Sequence, residues 1–226
     1  MTSKRKKIAV LHTSFVFVQV EPLINELIAE LIPDAEVVHF VDSDVLATVV
    51  KEGLISEKSS ARMTHLAQAA ELAGADVIFS ACSSLGPALD VAAKAVSIPV
   101  VKIDEAMALE TAQRGSKIGV LATVPTTLGP TSDLIQSHAD AMNKEISIQR
   151  RLAEGAFGVL MSGDRSKHDE MVMEQALVLA GEVDLIVLSQ ASMNRLADSL
   201  AEATGLPVLS SPRRGVGYLA EIVEGL

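Results

Sequence analysis

Cysteine and the large aromatic residues are scarce in this sequence. Cys82 is the single cysteine among 226 residues, there is no tryptophan, and there is one tyrosine. One cysteine cannot form an intramolecular disulfide, and no Cys/His cluster has the spacing of zinc ligands, so we expect a cytoplasmic, metal-free protein. The aromatic side chains are also too few to form a surface on which nucleic-acid bases could stack.

Positive charge is in deficit. Lys and Arg total 19 against 29 Asp and Glu, which leaves a formal net charge of −10. Nucleic-acid binding depends on Lys and Arg side chains that neutralise phosphates, so we expect no nucleic-acid partner.

Long apolar runs are absent as well. The basic start of the chain, Lys4 to Lys7, leads into a short apolar segment, Ile8 to Leu11, which ends at His12. This segment is much shorter than a membrane span or a secretory signal. We therefore expect no membrane partner and interpret the first residues as a solvated segment before a strand.

The sequence does contain an alternation of short apolar runs and longer helical patterns. The runs are rich in Val and Ile and lie at Ile8–Leu11, Val37–Val41, Val77–Phe79, Val100–Ile103, Ile118–Leu121, Ile146–Ile148, Leu185–Leu188 and Val208–Leu209. The helical patterns run from Glu21-Pro22 toward Leu31, over Ser59–Ala73 with Gly74 as the terminating glycine, and over Asp133–Met142, Asp169–Ala180, Asn194–Ala203 and Gly215–Val223. This alternation predicts an α/β fold with parallel sheets covered by helices on both faces.

The second half of the sequence repeats the first. Five pairs of residues match at one constant offset and without a gap: Asp76 with Asp184, Cys82 with Gln190, Ser84 with Ser192, Asp90 with Asp198, and Pro99 with Pro207. Chance rarely preserves register over a strand, a turn, a helix and the next strand, so the pattern indicates a duplication.

Small polar residues follow the strands at equivalent places in both halves. They form the turns His12–Ser14, Cys82–Ser84, Thr123–Thr127 and Ser189–Ser192. In open parallel sheets, ligands bind beyond the carboxyl ends of the strands, and hydroxyl, amide and helix-starting N–H groups bind a carboxylate without a metal. A single Ser or Thr here is typical of a helix cap, but four such turns predict a carboxylate site. Its expected substrate-binding residues are Ser14, Ser83, Ser84, Thr123, Thr126, Thr127 and Ser192.

Cys82 is the candidate reactive group of this site. It follows a strand and precedes Pro87 and a helix start. A helix N-terminus favours the thiolate, which can act as a base or a nucleophile. The alternative is a cysteine that only fills space in the core.

Taken in order, these motifs resemble the aspartate/glutamate racemase superfamily, which includes hydantoin and aspartate racemases, maleate isomerase and arylmalonate decarboxylase. Cys82-Ser83-Ser84 is similar to the first-half cysteine turn of that family. Leu121–Thr127 resembles the Thr-containing turn that opens the second half, and Ile103–Ala106 follows the fourth strand as in the family.

The resemblance implies two pseudosymmetric lobes, each a mostly parallel sheet flanked by helices, with the active site in the interlobe cleft. We expect an N-terminal lobe of residues 1–107 plus 212–226 and a C-terminal lobe of residues 108–211, because the last helix is expected to return to the first lobe. The resemblance also implies a cofactor-independent enzyme that acts on a small carboxylate substrate, and a homodimer is compatible with the chain length.

The sequence departs from the family at one catalytic position. Family racemases use two cysteines, and Gln190 stands where the second is expected. A carboxamide does not exchange a proton with carbon near neutral pH, so a two-thiol racemase is not expected. Cys82 and Gln190 are the two residues predicted at the catalytic positions of the family.

Three reactions stay open for one thiol. Decarboxylation needs a proton donor on one face only, isomerisation of an unsaturated diacid can begin with thiolate addition, and racemisation would need His12 or water as the second group. An alternative from another class is a non-catalytic sensor that binds a small carboxylate. Such a sensor would explain Gln190 but would leave Cys82 without a role.

Overall fold

The computed structural model describes residues 5–15, 18 and 22–226. The described residues up to Ile103, together with Pro212–Leu226, form one compact unit, and Asp104–Ser211 form a second. Each unit contains one four-stranded sheet. The predicted helix start at Glu21 lies outside the described residues.

The first unit alternates strands and helices. Its elements are β1 (Lys7–His12), α1 (Leu23–Leu31), β2 (Glu36–Val41), α2 (Val45–Glu52), α3 (Glu57–Leu72), β3 (Val77–Ser80), a 3-10 turn (Ser83–Leu85), α4 (Gly86–Ala92) and β4 (Val100–Lys102). The strands pair in parallel in the order β2-β1-β3-β4. Every residue of β3 is buried, as expected for a strand covered on both faces.

The second unit repeats this architecture. Its elements are α5 (Glu105–Arg114), β5 (Lys117–Ala122), α6 (Pro125–Ala141), β6 (Ser147–Leu152), α7 (Ala156–Met161), α8 (Arg165–Ala180), β7 (Leu185–Leu188), a 3-10 turn (Ala191–Leu196), α9 (Ala197–Thr204) and β8 (Val208–Ser210). The strands are again parallel, in the order β6-β5-β7-β8. The predicted α/β fold with parallel sheets is therefore confirmed.

The repeat extends to individual hydrogen bonds. In the first unit, the backbone N–H of Lys7 donates to Asp76 Oδ2 at 2.7 Å. In the second unit, the backbone N–H of Lys117 donates to Asp184 Oδ2 at 3.0 Å. These two aspartates are one of the pairs matched in the sequence, and each fixes the start of a central strand.

The chain returns to the first unit through α10 (Pro212–Glu224). Arg213 of this helix donates two hydrogen bonds to the Glu30 carboxylate of α1, at 2.9 and 2.8 Å. Gly215 lets α10 approach the end of β4, because a Cβ at this position would lie 2.2 Å from the carbonyl oxygen of Ile103.

Several predicted element boundaries were wrong. The helix expected over Asp133–Met142 begins at Pro125, since a proline in the first turn needs no N–H partner. The helix expected from Asn194 begins at Ala197, because the preceding residues form a 3-10 turn. The strand expected at Ile146–Ile148 extends to Leu152. Helices α2, α5 and α7 were not predicted.

One predicted helix end is confirmed by its geometry. Helix α3 ends at Leu72, and Gly74 follows with φ of +79°, the left-handed conformation that suits a terminating glycine. Across the described ranges, no helix combines the length and apolar character that crossing a membrane requires.

Candidate active site

Cys82 lies at the carboxyl end of β3 in the first unit. Its backbone is extended, with φ −133° and ψ 107°, and the 3-10 turn Ser83–Leu85 begins directly after it. The side chain is half-buried and packs against the apolar core of this unit. The thiol is thus placed at a strand end, where parallel sheets present ligand-binding groups, rather than fully inside the core.

Ser14 follows β1, the strand that pairs with β3. Strands β1 and β3 are neighbours in the sheet, and the N–H of Ala81 donates to the carbonyl oxygen of Leu11 at 3.1 Å. The residues that follow β1 and β3 are therefore at the same edge of the sheet. Ser14 is half-buried, whereas Ser83 and Ser84 in the turn after Cys82 are buried.

Gln190 occupies the equivalent position in the second unit. It follows β7, has an extended backbone with φ −137° and ψ 138°, and precedes the 3-10 turn Ala191–Leu196. The neighbouring strand contact is also repeated, since the N–H of Ser189 donates to the carbonyl oxygen of Leu121 at 3.0 Å. The backbone thus places Cys82 and Gln190 at equivalent points of the two sheets.

The carboxamide oxygen of Gln190 is held by the turn after β5. The N–H of Thr123 donates to Oε1 at 2.6 Å, the N–H of Val124 donates to it at 3.0 Å, and the Thr123 hydroxyl contacts it at 3.2 Å. Two predicted site residues, Thr123 and Gln190, are therefore together in this unit. Their contact also occupies donors that were expected to bind a ligand carboxylate.

The predicted residue Thr127 takes part in a buried hydroxyl pair. Its Oγ1 donates to the carbonyl oxygen of Val124 at 2.9 Å and lies 3.0 Å from the Ser189 hydroxyl. The Ser189 hydroxyl also lies 3.1 Å from the Leu121 carbonyl oxygen, to which it donates. Sequence reasoning did not include Ser189 or the Val124 N–H among the site residues. Ser189 is adjacent to Gln190 and Val124 is adjacent to Thr123 in the sequence, and this adjacency could have identified them.

Ser192 and Thr126 differ in their surroundings. Ser192 is 5% exposed, and among the described residues its hydroxyl has no hydrogen-bond partner. Burying a hydroxyl without a partner is unfavourable, so a ligand polar atom would be stabilised here. Thr126 lies in the first turn of α6 and is half-buried.

His12 is buried at the end of β1. It is 2% exposed, and its Nε2 lies 3.0 Å from Nδ1 of His39 on β2. Burial, and secondly the neighbouring His39, lower the pKa of His12 from 6.5 to about 4. His12 is therefore neutral at pH 7 and accepts a proton only with difficulty.

The described residues were also considered as metal ligands. Over residues 5–15, 18 and 22–226, three or more His, Cys, Asp or Glu side chains are nowhere grouped so that they could hold a metal ion.

The sequence and the fold were compared with known proteins. The family model described as Asp/Glu/Hydantoin racemase matches residues 18–219. A search of curated proteins gives no match.

Solved racemase structures share the fold. A glutamate racemase isoform from Bacillus anthracis has a TM-score of 0.77 at 17% identity, with 98% of this chain and 83% of that chain covered. The glutamate racemase of Francisella tularensis in complex with D-glutamate has a TM-score of 0.78 at 14% identity, with 98% and 82% covered. An allantoin racemase from Pseudomonas fluorescens has a TM-score of 0.65 at 20% identity, with 97% and 92% covered.

Proposed function

This chain belongs to the Asp/Glu/hydantoin racemase family, and on that premise we propose that it is a cofactor-independent enzyme with a single reactive thiol. Its substrate is a small carboxylic acid or amino acid, and the reaction takes place at the carbon next to the carboxylate. Cys82 supplies the acid, base or nucleophile. The half-buried position of Cys82 at the end of β3 is the observation that carries this proposal.

The second unit does not supply a matching acid or base at the equivalent position. Gln190 carries a carboxamide, which has no proton to exchange near neutral pH. His12 is a poor substitute because its pKa is about 4, so it binds a proton weakly at pH 7. These two properties favour a reaction that needs one thiol over a two-base racemisation.

Two reactions satisfy this requirement. In decarboxylation, the bond between the α-carbon and the leaving carboxylate breaks, CO₂ departs, and the electron pair left on carbon takes a proton from the Cys82 thiol. Water then returns a proton to the thiolate. In isomerisation of an unsaturated diacid, the Cys82 thiolate adds to one alkene carbon and the electron pair of the double bond moves onto the other carbon and its carboxylate. The resulting single bond rotates, and the pair then re-forms the double bond as the C–S bond breaks and the thiolate leaves.

An experiment in deuterium oxide separates these reactions. The protein is incubated with malonates, maleate and α-amino acids, and the products are analysed for CO₂ release, cis–trans conversion and α-deuteration. Cys82→Ser should lower whichever activity is present by about 10²-fold or more, the usual contribution of a positioned acid or base. Ser162→Ala, a change at an exposed serine of the second unit that leaves the thiol intact, should retain most of it. Full activity of Cys82→Ser would remove the thiol from the mechanism.

The second candidate function is a carboxylate sensor without catalysis. The observation that favours it is the Gln190 carboxamide, which hydrogen-bonds well but cannot transfer a proton. A sensor would show none of the three reactions in deuterium oxide, yet a small carboxylate would raise its melting temperature. In that case Cys82→Ser would leave the melting shift unchanged.

We also propose that the protein is cytoplasmic and forms a homodimer. The single cysteine suits a reducing compartment. Light scattering coupled to gel filtration measures the oligomeric state directly, and a mass of one chain, 23.8 kDa, would contradict the dimer.

A further inference from the structure

Gln190 has one fixed orientation in the second unit. Its Oε1 faces two backbone N–H groups, those of Thr123 at 2.6 Å and Val124 at 3.0 Å. A backbone N–H can only donate, so the carboxamide atom that faces it must be the oxygen. Turning the amide over would place the Nε2 hydrogens against two donors. The ambiguity between oxygen and nitrogen that affects many glutamines is therefore resolved at this position.

The same contact decides which atom of Gln190 is available to a ligand. Three donors already converge on Oε1, counting the Thr123 hydroxyl at 3.2 Å. A carbonyl oxygen has two lone pairs, so its capacity to accept is used within the unit. Nε2 carries two N–H donors, and no hydrogen-bond partner for them occurs among the described residues. Gln190 is half-buried, and its Nε2 is not one of the fully buried side-chain atoms that lack a partner, so it is open to a ligand.

Ser192 provides independent support for a ligand at this edge. It lies in the 3-10 turn that begins directly after Gln190. It is 5% exposed, and its hydroxyl has no partner in the part of the chain that the structure describes. A buried hydroxyl without a partner is costly, and a ligand oxygen or nitrogen would remove that cost.

We infer that Gln190 is a specificity-determining residue that presents its Nε2 amide hydrogens to an oxygen acceptor of the ligand, a carboxylate or a carbonyl. This inference rests on the proposed function, in which the ligand is a small carboxylate. Position 190 selects for ligands that accept a hydrogen bond there and against ligands that present an ammonium or N–H group. The Thr123–Val124 turn has a positioning role, since it fixes the amide orientation.

Gln190→Glu tests the inference with minimal change in shape. One carboxylate oxygen keeps the contacts with Thr123 and Val124, so the turn and the fold are retained. The other oxygen replaces the Nε2 amide group and converts a neutral donor into a charged acceptor. Malonate and maleate are the probes, and their dissociation constants are measured by calorimetry. We expect Gln190→Glu to weaken binding at least about tenfold, as for loss of a hydrogen bond to a charged group.

Gln113→Glu is the matched control. Gln113 is an exposed residue at the end of α5 in the same unit, so this variant carries the same change in net charge away from the site. It should bind both probes as the wild type does. Equal weakening in both variants would show that net charge alone is responsible and would overturn the inference.

The orientation is tested separately, without a ligand. If three donors hold one oxygen of the carboxylate introduced in Gln190→Glu, the pKa of that carboxylate should lie below the usual glutamate value of about 4.3. A carbon-13 NMR titration measures this pKa, and an ordinary value would overturn the assigned orientation. Wild-type binding that persists in Gln190→Glu would refute the inference and leave the proposed function intact. Failure of the wild type to bind malonate, maleate and every α-amino acid used in the deuterium oxide experiment would refute both.

Discussion

His12, at the end of β1, lies beside His39 of the neighbouring strand β2. Nε2 of His12 is 3.0 Å from Nδ1 of His39, and their ring centroids are 5.1 Å apart. One neutral imidazole donates and the other accepts in this pair. A proton on His12 would charge a buried ring and, secondly, would place that charge beside His39, which explains why the pKa of His12 is lowered to about 4.

This pair predicts a loss of stability in acid. Between about pH 6.5 and pH 4 the unfolded chain binds a proton at His12 that the folded protein does not bind. The free energy of unfolding should therefore fall as the pH is lowered through this window, by up to about 3 kcal/mol from His12 alone. Urea denaturation at a series of pH values measures the change.

Variants separate this contribution from other titrations. His12→Gln removes the titrating group and should flatten the pH dependence in this window. His65→Gln makes the same substitution at an exposed histidine of α3 and should leave the dependence as in the wild type. An unchanged pH dependence in His12→Gln would assign the acid sensitivity to other groups.

A second prediction concerns the approach of α10 to β4. A Cβ at Gly215 would lie 2.2 Å from the Ile103 carbonyl oxygen and 2.9 Å from its carbonyl carbon, so the backbone of one of the two segments would have to shift. Gly215→Ala should destabilise the protein by about 1–3 kcal/mol or more, as for other overpacked sites. Thermal and urea denaturation measure the loss.

Gly217 is the matched control in the same helix. A Cβ there would meet no atom within 4 Å. Gly217→Ala should therefore stabilise the protein by up to about 1 kcal/mol through helix propensity. Similar effects of the two substitutions would contradict the close contact.

The parallel sheets of both units were predictable because their signals are local. Continuous apolar runs such as Leu185–Leu188 indicate strands buried on both faces, and the same pattern returns in each half. The start of α6 was not predictable by this reasoning. Gly129 and Pro130 are typical of loops, and the packing of the helix against α5, β5 and β6 overrides their preference.

In the candidate site, too, some features could be predicted from the sequence and others could not. The matched positions of Cys82 and Gln190 could be read from the repeat, because backbone register follows from sequence spacing. The choice of Gln190 Oε1 as acceptor for Thr123 and Val124 could not. It depends on which donors a neighbouring turn leaves unsatisfied, and those donors come from residues far apart in the sequence.

A third prediction addresses the buried hydroxyl pair of the second unit. Thr127 Oγ1 and Ser189 Oγ are 3.0 Å apart and both residues are buried. Removing one hydroxyl leaves the other with fewer partners, so Thr127→Val and Ser189→Ala should each destabilise by about 1–2 kcal/mol. The double variant should lose less than the sum. A double-mutant cycle measures this coupling, and strictly additive losses would show that the two hydroxyls do not interact.

The fourth prediction restores the missing thiol. Gln190→Cys places a second acid/base group at the position equivalent to Cys82, and it frees the N–H groups of Thr123 and Val124 from the carboxamide oxygen. If the proposed chemistry is limited by the lack of a second proton-exchanging group, this variant should racemise an α-amino acid that the wild type does not racemise. Incubation in deuterium oxide followed by chiral chromatography detects α-deuteration together with the opposite enantiomer.

Two variants make this result specific to position 190. Ser192→Cys introduces a thiol into the same turn, two residues along the chain, and should not racemise the substrate. The double variant Gln190→Cys/Cys82→Ser should also be unable to racemise the substrate, because it again contains a single thiol. Gain of racemisation in Ser192→Cys, or its persistence without Cys82, would show that a thiol anywhere near this turn suffices. Unchanged stereochemistry in Gln190→Cys would show that a thiol at position 190 is not sufficient for racemisation.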